Sequence, residues 1–195
     1  MSSKGTKRNN AAALSMEDMF MLDQCALIET KCAEVYKHFA KITADTPELE
    51  ALWKKTALEE EHHALQFNML ARVKEGITAI RADLDKVKFV LQQLDDLFAR
   101  IGKAKLTAVE TLEVGIRLET YLSQYHCNSI IVCEDPDMAK LLDAMMKIDV
   151  EHSEMLKRVL QRMTHPSCKA GKLPGEADPA AADKPEFPET VAPRK

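Results

Sequence analysis

Apolar residues recur every three to four positions along four long stretches of this chain, and each stretch carries an acid or a histidine in mid-stripe. The first runs from Ser15 to about Thr43, with Leu22, Cys25, Ala26, Glu29, Cys32, Ala33, Tyr36, Phe39 and Ala40 on one face. That spacing predicts an amphipathic helix, started by Ser15 with Asp18 three residues on. Thr46-Pro47 opens a second helix to about Gly76, whose stripe is Leu52, Trp53, Thr56, Glu60, His63, Ala64, Phe67 and Leu70. A weaker amphipathic segment from about Ala79 to Arg100 sets Ile80, Leu84, Val87, Leu91, Leu94 and Phe98 at helical spacing. Thr107 and Glu110 form a capping box for a third long helix, expected to reach Cys133 with Leu112, Gly115, Ile116, Glu119, Leu122, His126 and Ile130 inward. Asp135-Pro136 opens a fourth to about Met163, with Leu142, Met145, Asp149, His152, Leu156 and Val159 on its stripe.

The polar interruptions share a spacing. Glu60 and His63, and again Asp149 and His152, stand three apart, so each pair projects from one helix face. Glu29 precedes Glu60, and Glu119 precedes Asp149, by about 30 positions. At 1.5 Å per residue all four acids lie about 20 Å from the turn of their hairpin, which sets them at one height. The connection between the second and third long helices is too long for an antiparallel neighbour. Its helical segment of about 33 Å matches a bundle's length, so the second and third helices are expected to run parallel. The predicted fold is all-α, an up-down-down-up four-helix bundle with a long helical crossover between helices 2 and 3.

Composition narrows the class. Scarce glycine (6) and 5% aromatics favour helices over sheet, and 195 residues suffice for one domain with a sizeable core. The expected organisation is a disordered N-terminus over 1–14, the bundle over 15–163, and a disordered Pro/Ala/acidic tail over 164–195. A net charge of -4, with basic residues clustered only at the start, argues against nucleic acid as a partner. No apolar run is long enough for a membrane span. Five cysteines, Cys25, Cys32, Cys127, Cys133 and Cys168, form no Cys-x-x-Cys pair, which points to reduced thiols and a cytoplasmic location.

Four carboxylates at one level of an apolar core repel one another, and each unpaired buried charge costs several kcal/mol. Two divalent cations would neutralise them. Carboxylates with two imidazoles suit a pair of iron ions, or manganese, better than structural zinc. Taken singly, each acid could equally sit on a solvated face; the matched heights favour a shared site.

These residues resemble the rubrerythrin branch of the ferritin-like superfamily. Glu29-x-x-Cys32-x-x-x-Tyr36 resembles the family's first-helix pattern, and Trp53 followed by Ala57-Leu58-Glu59-Glu60-Glu61-His62-His63-Ala64 is similar to its second. Gly115-Ile116-Arg117-Leu118-Glu119 and Asp149-Val150-Glu151-His152-Ser153-Glu154-Met155-Leu156 resemble the third and fourth. The resemblance implies a non-haem di-iron oxidoreductase that reacts with peroxide or dioxygen as Fe(II) becomes Fe(III). It implies Glu29 and Glu119 as terminal ligands, Glu60 and Asp149 as bridging ligands, and His63 and His152 as nitrogen ligands. Asp149 stands where the family usually has Glu, and Leu122 where rubrerythrins often add a carboxylate. No rubredoxin-like module with four cysteines follows, so electrons would come from an external donor or from added Fe(II). A homo-oligomer, most simply a dimer, is expected. A metal-binding or scaffold protein without turnover, or an iron-storage subunit, is the alternative reading. Tyr36 is read as a partner of a ligand or as core, Cys25 and Cys32 as core packing that leaves room for metal or substrate, and His126 as a further candidate ligand. His62 and Glu59 are expected to face solvent or neighbouring helices.

Overall fold

The computed structural model describes residues 15–72, 77–80, 83–126, 131–133 and 136–165. Five helices, α1 (Met16–Ile42), α2 (Pro47–Leu70), α3 (Leu84–Ile101), α4 (Ala108–His126) and α5 (Pro136–Thr164), make an all-α fold. Two short strands, β1 (Ile77–Ile80) and β2 (Ile131–Cys133), add an antiparallel ribbon. The expected N-terminal tail, 1–14, lies outside the described residues; of the expected C-terminal tail, 164–195, Thr164 is the last residue of α5 and residues 166–195 lie outside the described residues.

Local chemistry sets the helix starts. Ser15 Oγ accepts from the Asp18 backbone N–H, while the Asp18 carboxylate accepts from the Ser15 N–H at 3.1 Å, a reciprocal cap. Thr107 and Glu110 repeat the arrangement before α4. At α2 the Pro47 ring, pre-set for helical φ and needing no N–H partner, begins the helix, and the Thr46 side chain makes no capping bond. Asp83 caps α3 by accepting from Asp85 N–H and Lys86 N–H.

Most stripe positions whose side chains are described are buried; Leu52, Leu84, Ile116 and Val159 are partly buried, and Phe98, read as inward on the weaker segment, is exposed. On α1, all nine inward positions from Leu22 to Ala40 are buried, Glu29 among them. α1 and α2 lie antiparallel: Tyr36 stacks on Trp53 with ring centroids 5.5 Å apart, and Glu29, further back along α1, meets Glu60 and His63 further on along α2. α4 and α5 pair the same way, with Gly115 level with Leu156 and Glu119 level with His152. α3 lies along α1, where Lys31 pairs with Asp95 and His38 sits edge-on to Phe98. At Gly115 side chains of α2 and α5 close on α4. A Cβ there would stand 2.6 Å from Trp53 Cη2 and 3.3 Å from Leu156 Cδ1, so only glycine lets α2 and α5 approach α4 at this level.

The structure departs from the sequence expectation at the ribbon. The segment read as helix from about Ala79 is strand over Ile77–Ile80, and helix begins only at Leu84. The third long helix ends at His126, and Ile131–Cys133, read as its last turn, is strand. Both segments are short runs of β-branched residues, which sit well on a pleated surface and lose χ1 freedom in a helix. Each then finds the other as a partner, pairing Ile80 with Ile131 and Ile77 with Cys133. That ribbon ties the connection between α2 and α3 to the connection between α4 and α5. Similarly α2 ends at Leu70, short of the expected Gly76.

Candidate metal centre

Four helices each deliver polar side chains to one buried place. α1 brings Glu29, α2 brings Glu60 and His63, α4 brings Glu119, and α5 brings His152; all five are buried. Their ligand atoms fall into two groups, Glu29 with Glu60 and His63, and Glu60 with Glu119 and His152, in each of which the atoms lie within 4.8 Å of one another. Either group could hold a metal ion.

Glu60 belongs to both groups, and its two oxygens divide between them. Oε2 lies 3.2 Å from His63 Nδ1, whereas Oε1 lies 3.3 Å from His152 Nδ1. The two imidazole centroids are 6.5 Å apart, one on each side of that carboxylate. The i, i+3 step of α2 places Glu60 and His63 on one face, and α5 supplies the second imidazole from across the core.

His152 is held on both edges. Its Nε2 lies 3.0 Å from Glu59 Oε2, and its Nδ1 lies 3.3 Å from Glu60 and 3.5 Å from Glu119 Oε1. Nδ1 is buried and makes no hydrogen bond there. If Nε2–H donates to Glu59, Nδ1 faces the two carboxylates, protonated in the metal-free chain and able to offer its lone pair to a cation that displaces that proton, an orientation of the kind an outer carboxylate gives a metal-binding imidazole. Glu59 in turn offers its other oxygen to Lys55, 3.3 Å away, so it links solvent to the buried ring. This role was not read from the sequence, which left Glu59 facing solvent or a neighbouring helix. A usable signal existed: a ligating histidine needs an acceptor on its far nitrogen, and Glu59 is the residue before Glu60.

Tyr36 donates a 2.6 Å hydrogen bond to Glu119 Oε1. Its partner is thus the buried acid of α4, one of the candidate ligands. Burial pushes the Tyr36 hydroxyl well above its ordinary range, and the charges of Glu119 and Glu60 add to that, so it stays a donor.

The electrostatics of the site are strained by its burial. Burial works against a charged Glu60, but the imidazoles of His152 and His63 outweigh it and hold the carboxyl down to about 2. For Glu119 burial wins: against the help of His152, and with the Glu60 charge opposing it, the carboxyl is pushed up to about 7. Burial would lower His152, yet the Glu119 and Glu60 carboxylates drive it up to about 11. In the absence of cations His152 thus keeps its proton, and Glu119 holds one below about neutral pH, which offsets the buried acids. Divalent ions would replace those protons, so the donor set, three carboxylates and two imidazoles in an apolar shell, fits hard to borderline cations.

Asp149, three residues before His152 on α5, and His126, at the end of α4, lie on described helices, but their side chains lie outside what the structure describes. Cys25 and Cys32 are buried as expected; burial, with the Glu29 charge nearby, pushes the Cys25 thiol up to about 12, which leaves it an inert packing group. Leu122 is buried on the α4 stripe, one turn beyond Glu119, where the family resemblance would add a carboxylate. No described helix is long and apolar enough to cross a membrane.

Comparison with protein-family models, with curated proteins and with solved structures found no match.

Proposed function

We propose that the chain is a ferritin-like, rubrerythrin-type di-iron protein that oxidises Fe(II) with peroxide or dioxygen. The observation that carries this reading is Glu60, whose two oxygens face separate buried histidine-containing clusters. A carboxylate so divided suits two cations side by side.

The helix order supports the ferritin-like part. Trp53 on α2 meets Gly115 on α4, and Glu60, further along α2, meets Glu119, further along α4. Contacts in the same order along both helices favour a parallel α2 and α4, hence an up-down-down-up bundle. α3, 18 residues and about 27 Å long, is of the length to carry the chain back as a crossover.

In this reading Glu60 would be shared between two ions, Glu29 and His63 would complete one set of ligands and Glu119 and His152 the other, with Asp149, three residues before His152 in the chain, a further acid the sequence assigns to the site. Iron, when bound, would supply the redox chemistry that reduces the oxidant. The chain's own residues hold the ions and their surroundings. Tyr36 fixes the Glu119 carboxylate by its hydroxyl, Glu59 fixes the His152 ring, and the buried Phe67 and Leu122 beside the ligands keep bulk water from the centre. Further electrons would come from an external donor or from Fe(II) itself as substrate.

Anaerobic titration of the full chain with Fe(II) tests the reading, with two ions per chain expected. Added peroxide or dioxygen should then convert Fe(II) to Fe(III), followed by absorbance, faster than in buffer. Glu60→Ala should lose both ions and the acceleration, and unchanged turnover in that variant would sink the assignment. Two ions held without acceleration would favour the reading of a metal-binding or scaffold protein.

A further inference from the structure

The five residues of the cluster, Glu29, Glu60, His63, Glu119 and His152, are each only 1% to 3% exposed. Their neighbours three or four positions away on the same helices, Ala26, Cys32, Ala64, Phe67 and Leu122, are buried as well. A cation that leaves water for this place must therefore pass a wall of packed side chains. Glu59 interrupts that wall. Its side chain is 26% exposed, yet its Oε2 lies 3.0 Å from His152 Nε2. Its other oxygen, Oε1, lies 3.3 Å from Nζ of Lys55, one turn back on α2, and that lysine is 64% exposed. The carboxylate thus stands at the surface with one oxygen on the cluster and the other under a solvated ammonium.

An anion so placed attracts a cation to the seam between α2 and α5 and offers it an oxygen ligand while part of its water shell is still in place. Glu59 is next to Glu60 in the chain, and His152 meets both, with Nε2 on the first and Nδ1 3.3 Å from the second. An ion held by Glu59 is therefore one imidazole ring away from the inner acids. Lys55 acts against its arrival, because the ammonium occupies the outer oxygen and repels a second positive charge. For a divalent ion passing at about 5 Å in water, that repulsion slows arrival by about 5-fold at ~0.1 M salt and by less than about 2-fold at ~1 M. An exposed i, i+4 pair of this kind is weak enough to open readily.

We infer that divalent cations enter the buried cluster at Glu59, which receives them at the seam between α2 and α5, and that Lys55 gates this entry by competing for the same carboxylate. The inference rests on the reading of the cluster as a divalent-cation site, and not on any oxidation that follows. It concerns the rate of loading, whereas affinity is set by the buried ligands.

Stopped-flow uptake of Co(II) by the full, ion-free chain tests it. The signal is quenching of Trp53, the single tryptophan, whose ring stacks on Tyr36 beside Glu119. Lys55→Gln should take up Co(II) about 5-fold faster than the unsubstituted chain at ~0.1 M salt, and less than about 2-fold faster at ~1 M. Release to excess chelator should speed by a similar factor, which keeps the affinity within about 2-fold. Glu59→Gln, which keeps an oxygen for His152 but loses the charge, should slow uptake at least about 5-fold. Lys37→Gln breaks the Lys37 pair with Glu61 on the opposite side of α2; it removes the same charge and should leave uptake unchanged. Circular dichroism checks that each variant keeps its helices, and if Glu59→Gln does not fold, the comparison of Lys55→Gln with Lys37→Gln decides. Equal acceleration by those two variants overturns the gate. So does a change in affinity at an unchanged uptake rate, since Lys55 would then act on the bound ion. If the unsubstituted chain takes up no Co(II), the gate falls together with the metal-site reading. Uptake that Lys55→Gln does not alter removes the gate alone and leaves that reading standing.

Discussion

Glu60 offers one oxygen to each half of the buried cluster, and the two imidazoles opposite it are held differently. His63 comes from the same helix, one turn on, so its approach is set by helix geometry. His152 comes from α5, so its ring needs an external hold, and Glu59 provides it at 3.0 Å. Glu59→Ala should therefore weaken ion binding at the Glu119 and His152 site by about 10–100-fold, the usual cost of losing such an outer partner. Glu59→Gln, which keeps an acceptor oxygen, should recover part of it. Titration with Mn(II), followed by the magnetic resonance signal of the free ion, separates the affected site from the one built on Glu29 and His63. Equal loss at both sites would mean that Glu59 supports the fold instead of one ring.

At the scale of elements, the close meeting of α2, α4 and α5 depends on Gly115. Alanine there would bring a methyl carbon to 2.6 Å from the Trp53 ring, which is wholly buried, stacked on Tyr36 and edge-on to Phe39 at 5.1 Å. The ring has no free direction in which to yield. Overpacking of this kind costs about 1–3 kcal/mol, against about 1 kcal/mol gained by replacing a mid-helix glycine with alanine. Gly115→Ala should thus lower stability by up to about 2 kcal/mol, measured by denaturant unfolding, and move α4 outward with Glu119 on it. The periodicity of α4 marked Gly115 as an inward position, but periodicity does not say what faces it. The ribbon shows the opposite limit. Ile80 fitted a helical stripe and Ile131 lay in the expected last turn of α4, yet both are strand, because short β-branched runs are decided by the partner they find.

Across the whole molecule, the buried charges link stability to pH and to metal. His152 is raised to about 11 in the folded chain, so its stabilising contribution is fully present below about 6.5 and is lost as pH rises through about 11. Glu119 is raised to about 7, so its protonated form favours folding below about 4.5, and that advantage fades as pH rises through about 7. Glu60, held down to about 2, acts in the opposite sense only in acid, where its contribution is lost as pH falls through about 2. Cations require Glu119 ionised and His152 neutral at Nδ1, and so bind more tightly as pH rises. The gap in melting temperature between ion-loaded and ion-free chain should therefore widen from about pH 5 to about pH 8. Ion binding near pH 8 should release at least about one proton per chain, read by a pH indicator in weak buffer. A gap that narrows over that range would contradict the assignment of these groups to the ion site.

The sequence by itself determined where the long helices begin and, among the described side chains, the acids and histidines that lie on their buried faces. Caps, proline at the first helical position and a period near 3.6 act within a few residues, and burial of Glu29, Glu60, His63, Glu119 and His152 follows from stripe membership. Only the tertiary structure decided which oxygen meets which nitrogen. Glu59 and Glu60 differ by about 100° around α2, and the packing of α5 against that helix assigns the Nε2 edge of His152 to one and the Nδ1 edge to the other. Likewise Tyr36 bonds the acid of α4, 83 positions away in the chain, instead of the acid two turns back on its own helix. Local forces act along one helix, whereas the pairing of charges in the core is set by the rotation and approach of four helices, which no single stripe encodes.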